Sequence, residues 1–344
     1  MFQDITLEEL MDLKQKKELI TIDVRSPSEF KDASIPGSVN IPLFDDNERA
    51  EIGTLYKQVN VQAAMDRGLE IVSAKLPAFI STFREIKEQK AVFCWRGGMR
   101  SKTTATVLSL MGIRVYRLIG GVRVYRKWVV DAIDQMELPD KAYVLNGNTG
   151  SGKTDIIRRL KKLGYPVLDL EGMANHRGSI FGQIGLEANN QKTFESLLVQ
   201  DVRKYKDSPF LLLEAESKRV GKVVLPEVIN HYKEKGTQLV IDLPMPERIK
   251  CIMEDYRPHE NKEECIHAFT GIKKRIHTPI AQEIETHLMS DRFEEAVQLL
   301  LEHYYDPRYE HATHQYNPDQ IRVKAQTIDE AVDEIANFLK NHDQ

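Results

Sequence analysis

The fold of this chain is decided by two stretches, Ala91-Val92-Phe93-Cys94-Trp95-Arg96-Gly97-Gly98-Met99-Arg100-Ser101 and Gly147-Asn148-Thr149-Gly150-Ser151-Gly152-Lys153-Thr154. Each includes or follows a short apolar run and leads into a segment with helical periodicity. In both places a strand therefore turns into a helix through a glycine-containing loop. Backbone N–H groups converge at such a turn, and the helix N-terminus favours an anion. The sequence thus predicts two separate anion-binding sites.

Cys94 follows the first of these strands, where the converging N–H groups lower the pKa of a thiol. We expect two arginines to reinforce that effect, and the predicted catalytic loop comprises Cys94, Arg96, Gly97, Gly98 and Arg100. The alternative is a buried structural cysteine beside two surface arginines. The Cys-x5-Arg spacing suits a protein phosphatase as well as a sulfurtransferase.

The second stretch matches Gly-x4-Gly-Lys-Thr, the P-loop pattern, in its usual setting between a strand and a helix. The predicted phosphate-binding residues are Gly147, Asn148, Thr149, Gly150, Ser151, Gly152, Lys153 and Thr154. We expect the backbone to cradle a diphosphate, Lys153 to neutralise it and Thr154 to offer a ligand for Mg²⁺. Carboxylates that follow later strands are candidate partners for the cation: Asp169, Glu171, Glu214, Glu216 and Asp242. The pattern indicates a phosphate ligand but does not decide whether that ligand is a nucleotide.

A chain of 344 residues and 39.5 kDa suits two domains, which we place at residues 1–135 and 136–344. Short apolar runs alternate with amphipathic stretches, which predicts an α/β fold with parallel sheets. The predicted strands are Leu19 to Val24, Ala91 to Cys94, Arg114 to Ile119, Ala142 to Leu145, Pro166 to Leu170, Phe210 to Leu213 and Gln238 to Leu243. Residues 120–141 are interpreted as a linker that ends in a polar helix. Beyond about residue 245 the pattern becomes helical, with a turn at Asp306-Pro307.

Composition excludes several classes of protein. With 41% hydrophobic and 29% charged residues, the profile is that of a soluble globular protein, and no stretch approaches a membrane span. The N-terminus lacks the pattern of a signal peptide, so we expect a cytoplasmic protein. Three cysteines without a close pair argue against a disulfide framework and against structural zinc. The net charge of −4 neither favours nor excludes a nucleic-acid partner.

Two clusters combine positive charge with aromatic or imidazole rings, as expected for contact with an unpaired RNA loop. The first consists of Arg117, Arg123, Arg126 and Lys127 with Tyr116, Tyr125 and Trp128, and the second of Lys273, Lys274, Arg275 and His277. The alternative is that both are ordinary solvated surfaces.

Three segments in order resemble the landmarks of rhodanese domains: Ile22 to Phe30, Ser34 to Pro42, and the Cys94 loop. The resemblance covers roughly residues 5 to 128. It implies that Cys94 accepts sulfur or selenium while the loop amides stabilise the terminal anion. Rhodaneses commonly carry His where this chain has Ser34, and no role is assigned to that position.

Over essentially its whole length, the chain resembles the tRNA 2-selenouridine synthase family. The matching segments are Phe93 to Ser101, Leu118 to Gly121, Tyr125 to Trp128, Gly147 to Thr154, Leu170 to Ser179, Glu214 to Gly221, and Tyr304 to Tyr309. The resemblance implies an N-terminal rhodanese-like parallel-sheet domain followed by a P-loop NTPase-like α/β domain with a helical C-terminal part.

The same resemblance implies a transferase acting on 2-thiouridine at the wobble position of tRNAs for Lys, Glu and Gln. Geranyl diphosphate alkylates the sulfur, and selenophosphate then supplies selenium through Cys94, so these two are co-substrates and no tightly bound cofactor is expected. The P-loop would hold the diphosphate, with Mg²⁺ as a further candidate ligand. Selenophosphate synthase is a candidate partner. Candidate contacts to the anticodon loop of tRNA are Arg123, Arg126, Lys127 and Trp128. His176 and Arg177 are candidates to lie near the substrate, the alternative for His176 being an ordinary hydrogen-bonding residue.

Two rival interpretations remain at the level of sequence. One is a Cys-x5-Arg phosphatase or sulfurtransferase fused to a nucleotide-binding domain. The other is a non-enzymatic P-loop scaffold whose degenerate rhodanese module only binds a partner.

Overall fold

The computed structural model describes residues 2–16, 18–308 and 320–342. The chain packs as two compact units, one formed by Met1–Gln135 with Glu195–Leu197 and the other by Met136–Phe194 with Leu198–Gln344. In the described part of the chain, no helix is long and apolar enough to cross a membrane.

The first unit is built on a parallel sheet in the order β1-β5-β4-β2-β3. Its strands are β1 (Gln3–Ile5), β2 (Leu19–Asp23), β3 (Val39–Asn40), β4 (Gln89–Phe93) and β5 (Tyr116–Leu118). Its helices are α1 (Leu7–Gln15), α2 (Pro27–Asp32), α3 (Asp46–Gln58), α4 (Val61–Glu85), α5 (Met99–Leu110) and α6 (Gly121–Asp134). Ile22, Phe83 and Val92 are fully buried at the centre of its core.

The second unit contains a parallel sheet in the order β12-β11-β6-β8-β7 and a small antiparallel hairpin of β9 and β10. Its strands are β6 (Lys141–Gly147), β7 (Val167–Leu168), β8 (Phe210–Glu214), β9 (Arg219–Val220), β10 (Val223–Val224), β11 (Thr237–Asp242) and β12 (Gln320–Lys324). Its helices are α7 (Lys153–Lys162), α8 (Leu170–Ala174), α9 (Gln191–Tyr205), α10 (Glu227–Lys235), α11 (Met245–Tyr256), α12 (Lys262–Thr270), a 3₁₀ turn (Lys273–Arg275), α13 (Thr278–Met289), α14 (Phe293–Leu300), a π-helical turn (Leu301–Tyr305) and α15 (Ile328–His342).

The central strands of the second sheet are apolar along their length because helices cover both faces of a parallel sheet. All five residues of β8 are buried, including the terminal Glu214. The helices that follow β11 form a separate apolar core around Phe269, Ile284 and Phe293. This is the helical C-terminal part that the sequence predicted.

The parallel α/β fold and all seven predicted strands are confirmed, with boundaries shifted by up to two residues. The interpretation of residues 120–141 as a linker is wrong for its first part, since α6 packs on the first unit through buried Val122, Tyr125 and Val129. The predicted turn at Asp306-Pro307 is also wrong, because the helical conformation continues through residue 308. The sequence analysis missed the short strand β12, which pairs with β11.

Candidate functional site

Cys94 lies at the carboxyl edge of the first sheet, directly after β4. The neighbouring strand β2 ends opposite it, because Asp23 is in register with Phe93 and the Val24 N–H donates to the Phe93 carbonyl at 3.0 Å. The thiol is buried, and its Sγ lies 3.2 Å from Ser101 Oγ in the first turn of α5. Ser101 is a contact that the sequence analysis did not single out. The site is thus a thiol held at the base of a loop that opens onto a helix N-terminus.

Two glycines give this loop its shape. Gly98 caps α5 without a side chain, so it offers no hydroxyl or carboxylate to the first-turn N–H groups, and a Cβ added there would meet open space. Gly97 has φ of +66°, and an added Cβ would lie 2.8 Å from the Gly120 nitrogen. Arg117 donates to the Gly97 carbonyl at 2.7 Å. The loop is therefore fixed on one side and open on the other.

Gly121 is a further constraint that the motif analysis gave no specific role. Its φ is +60°, and an added Cβ would lie 2.0 Å from the Cys94 carbonyl oxygen. The Val122 N–H donates to the same carbonyl at 2.9 Å. The start of α6 therefore supports the backbone of Cys94 directly.

A buried ion pair lies at the carboxyl end of β2, the strand that pairs with β4. The Arg25 Nε donates to Asp23 at 3.0 Å, and both side chains are almost wholly buried. Ser34, to which no role was assigned from sequence, donates to Asp23 Oδ2 at 2.8 Å. The Arg25 guanidinium lies 5.9 Å from the centre of the Trp95 ring. Ser34 thus extends a buried polar network whose arginine lies beside Trp95 of the Cys94 loop.

Arg100 is engaged by a carboxylate. Its guanidinium donates two hydrogen bonds to Glu29, one of them at 3.1 Å. Arg49 is 3.7 Å from the same carboxylate, and these groups line a cavity of about 380 Å³ together with Arg25 and Trp95. Burial raises the pKa of Glu29, but its hydrogen bond with Arg100 and the nearby arginine charges outweigh this and lower it overall. Arg96 is exposed on the loop.

The P-loop lies at the carboxyl end of β6, the central strand of the second sheet. Gly147, Gly150 and Gly152 all have positive φ, which a residue with a side chain rarely adopts. The Lys153 ammonium donates to the Gly147 carbonyl at 2.9 Å and therefore lies across the loop. Thr154 donates to Glu171. The eight predicted phosphate-binding residues run continuously from the last residue of β6, through residues 148–152, into the first turn of α7.

Arg248 and Asp306 support the P-loop, and the sequence analysis gave neither a specific role. The buried Arg248 guanidinium donates twice to the Thr149 carbonyl, at 2.8 and 3.0 Å, and twice to Asp306, at 2.6 and 2.9 Å. Such a bidentate pair fixes both distance and orientation. Asn148 also donates to Asp306, at 3.4 Å. The segment Tyr304 to Arg308 therefore reaches the loop through its aspartate.

Three of the candidate carboxylates lie together beside Thr154. The Glu171 N–H donates to Glu214 Oε2 at 3.0 Å, and an added Cβ on Gly178 would meet both Glu171 and Glu216. Burial, reinforced by the charge of Glu216, raises the pKa of Glu171 to about 8. Burial likewise raises the pKa of Glu214, whose buried Oε1 has no hydrogen-bond partner among the described residues.

These carboxylates do not form a complete metal centre by themselves. Among the described residues, no three His, Cys, Asp or Glu side chains are grouped so as to hold an ion. Asp169 instead caps α8, accepting a hydrogen bond from the Gly172 N–H at 2.6 Å, and Asp242 is exposed.

His176 and Arg177 lie in the loop after α8. His176 Nδ1 accepts from the Gly178 N–H at 3.2 Å, and burial, with a smaller contribution from the Arg177 charge, lowers the pKa of the imidazole. Arg177 donates to the Ile184 carbonyl at 2.9 Å, and its guanidinium lies 4.9 Å from the centre of the Tyr256 ring. Both side chains have partners that order this loop.

Residues of the two basic clusters that the sequence analysis singled out lie on helices, strands and turns, and several of them contact other side chains. Arg117 pairs with Asp4, and Arg126 pairs with Glu195. Tyr125 is buried, with its ring 5.6 Å from that of Trp128. Arg123 and Lys127 lie on α6, and Lys273 of the second cluster pairs with Glu285 at 2.7 Å. Several of the predicted RNA contacts therefore also have structural partners.

Residues 140–343 match the family model described as the tRNA 2-selenouridine synthase AAA domain, and residues 6–131 match that of the rhodanese-like domain. The chain belongs to the tRNA 2-selenouridine synthase family. A Shewanella piezotolerans protein named tRNA 2-selenouridine synthase is 33% identical over 341 residues, which cover 89% of this chain and 90% of that protein. The family resemblance drawn from the motifs is confirmed.

Two further relatives carry the same name. The Nitrosomonas europaea protein is 36% identical over 243 residues, which cover 68% of this chain and 63%, or less than two thirds, of that protein's length. The Bdellovibrio bacteriovorus protein is 34% identical over 264 residues, covering 74% of this chain and 68% of that protein.

Proposed function

We propose that this protein is a tRNA-modifying transferase that converts 2-thiouridine to 2-selenouridine at the wobble position of tRNAs for Lys, Glu and Gln. Membership in the tRNA 2-selenouridine synthase family supports this activity. The single observation that carries the proposal is that one chain contains both a buried Cys94 on a glycine loop, in the first unit, and a complete P-loop, in the second. Sulfur or selenium chemistry accounts for the first feature, and a diphosphate substrate accounts for the second.

The first step is S-alkylation. The thiocarbonyl sulfur of the base attacks C1 of geranyl diphosphate, a C–S bond forms, the C–O bond breaks, and diphosphate leaves. The P-loop amides and Lys153 are placed to bind that diphosphate and to stabilise its charge as it departs. Alkylation turns the sulfur into a better leaving group.

Thr154, Glu171 and Glu214 fit a divalent cation at the diphosphate. Mg²⁺ prefers oxygen ligands, and in the described part of the chain the buried Glu214 Oε1 has no hydrogen-bond donor. When bound, the ion would neutralise charge on the diphosphate. The pKa of both glutamates is raised, chiefly by burial.

The second step is selenation. Selenophosphate, held at the Cys94 loop, attacks C2 of the base through its selenium; the C2–S bond breaks and geranylthiol leaves, and water then cleaves the Se–P bond to release phosphate. The uncapped N–H groups at the start of α5 are placed to hold the negative charge of selenophosphate. Selenophosphate synthase is the expected partner that supplies the donor. The exposed Arg96 and the basic residues of α6 are proposed to contact the anticodon loop.

The phosphatase alternative is less well supported. A Cys-x5-Arg phosphatase needs its arginine on the bound phosphate, whereas the Arg100 guanidinium is engaged by Glu29. The pairing leaves the main-chain amides as the principal anion ligands of the Cys94 loop.

The test is mass analysis of nucleosides after incubation of tRNA carrying 2-thiouridine with geranyl diphosphate, with and without selenophosphate. We expect S-geranyl-2-thiouridine without selenophosphate and 2-selenouridine with it. Cys94→Ser is expected to geranylate normally but to lose selenation. Lys153→Ala is expected to lose geranylation yet still selenate tRNA that was geranylated beforehand, whereas Lys162→Ala, at the exposed end of the same helix, should behave as the unmodified protein.

Measuring both steps in both variants tests the Cys94 loop and the P-loop independently. If Cys94→Ser selenates the geranylated nucleoside at the normal rate, the thiol has no part in the reaction. If Lys153→Ala geranylates normally, the P-loop does not hold the diphosphate.

A further inference from the structure

An apolar cavity adjoins the P-loop in the second unit. Thr149 of the loop forms part of its wall, and the rest comes mainly from α11, α14 and the π-helical turn, including Ile252, Phe293, Val297 and Leu301. Phe293, Val297, Leu300 and Leu301 recur at the i, i+4, i+7 and i+8 positions that place side chains on one helix face. A phosphate site and an apolar cavity therefore share a wall.

The lining indicates what kind of molecule fits. Nine of the twelve lining residues are aliphatic, phenylalanine, proline or cysteine, and the others are Thr149 and two tyrosines. The Tyr256 hydroxyl already bonds to Ser179 at 3.0 Å, so this residue presents mainly its ring. A nucleobase would bury several donors and acceptors here without partners, which is costly. A hydrocarbon chain would not.

The size of the cavity limits the length of that chain. The half-open space measures about 60 Å³. At roughly 10–15 Å³ for each water-sized group, it accommodates about four to six carbon-sized groups, which corresponds to one five-carbon isoprene unit. A chain of two such units would place one unit in the cavity and use the other to reach C1 at the diphosphate.

We infer that this cavity binds the distal isoprene unit of the prenyl diphosphate and that Val297 sets the preferred chain length. The inference rests on the proposed function and deepens it, since it assigns the apolar half of a substrate whose diphosphate occupies the P-loop. Val297 is half-buried on α14 and lines the cavity, whereas the adjacent Gln298 is exposed. The two positions offer a matched pair of substitutions on one helix.

The experiment uses the full-length protein and two readouts. The first is the Kd of geranyl diphosphate and of inorganic pyrophosphate, measured by calorimetry. The second is S-alkylation of 2-thiouridine tRNA with dimethylallyl, geranyl and farnesyl diphosphates in competition. The variants are Val297→Phe, which fills the cavity, Val297→Ala, which enlarges it, and Gln298→Phe, which adds the same ring on the solvent side.

Val297→Phe is expected to raise the Kd of geranyl diphosphate on the order of tenfold to a hundredfold, because the apolar burial of several carbons is lost. Its Kd for pyrophosphate should stay within about twofold, which also shows that the P-loop is intact. Product ratios should shift toward dimethylallyl in Val297→Phe and toward farnesyl in Val297→Ala. Gln298→Phe should match the unmodified protein.

Unchanged geranyl affinity and product ratios in Val297→Phe would overturn the inference while leaving the proposed function in place. Should Val297→Phe fail to fold, an unchanged farnesyl-to-geranyl ratio in Val297→Ala overturns it equally. If the unmodified protein alkylates with none of the three diphosphates and binds ATP instead, the proposed function fails and the inference fails with it.

Discussion

The close approach of Gly121 to the Cys94 carbonyl leads to a quantitative prediction about stability. In Gly121→Ala the new methyl group would lie 2.0 Å from the Cys94 carbonyl oxygen, at a φ of +60°. The left-handed conformation costs a non-glycine residue roughly 1–2 kcal/mol, and forcing apart well-packed backbone costs about 1–3 kcal/mol more. We therefore expect the first unit to lose about 2–5 kcal/mol of unfolding free energy.

Two other glycines of the same unit separate these contributions. Gly112 has φ of +75° with nothing within 4 Å of an added Cβ, so Gly112→Ala should show the backbone cost alone, about 1–2 kcal/mol. Gly98 has a negative φ and equally open surroundings, so Gly98→Ala should cost under about 1 kcal/mol. The expected order of destabilisation is Gly121, then Gly112, then Gly98.

Tryptophan fluorescence during urea unfolding is the appropriate assay. The two tryptophans of the chain, Trp95 and Trp128, both lie in the first unit, so their signal follows that unit. The selenation rate on tRNA that was geranylated beforehand should fall most in Gly121→Ala, because its methyl group displaces the cysteine backbone. Equal stability of Gly121→Ala and Gly112→Ala would refute the claim that this contact is tight.

Two further predictions concern the second unit. Glu171 has a pKa raised from 4.5 to about 8 by burial and by Glu216, so the stability due to its proton is fully present below about pH 4.5 and is lost as the pH rises to about 8. Glu171→Gln, which mimics the protonated acid, should therefore lose less stability between pH 5 and 8, measured as the urea midpoint by circular dichroism; parallel pH profiles would contradict this. Arg248→Ala removes the guanidinium that pairs with the Asp306 carboxylate and bonds to a P-loop carbonyl, so we expect a loss of about 3–5 kcal/mol of unfolding free energy and weaker pyrophosphate binding. The exposed Lys250→Ala on the same helix should cost under about 1 kcal/mol. Equal effects of the two substitutions would show that the buried pair does not support the loop.

The local parts of both sites could be predicted because their signals are local. Cys94 at a strand end and the glycines of the P-loop are specified by residues within ten positions of one another. Strand β8 could also be predicted, because its signal is a short run of neighbouring apolar residues. The prediction of a turn at Asp306-Pro307 was wrong because proline is tolerated in the first turn of a helix as well as just after the end of a helix.

Other contributors depend on residues far apart in sequence. Ser34 reaches Asp23, Glu29 reaches Arg100 across 71 positions, and Arg248 reaches Asp306 across 58. No periodicity or motif connects such pairs, and each residue alone is typical of an ordinary surface. The short strand β12 was missed for the same reason, since five residues become a strand here by pairing with β11.

By itself, the sequence determined the chemistry that is available: one thiol on a glycine loop, one phosphate loop, and the family that combines them. The tertiary structure alone decided which groups surround that chemistry, namely the glutamate that holds Arg100, the glycine beneath Cys94 and the apolar cavity beside Thr149. The physical reason is that loop conformation follows from the torsional preferences of neighbouring residues, whereas burial and ion pairing depend on which distant elements pack together.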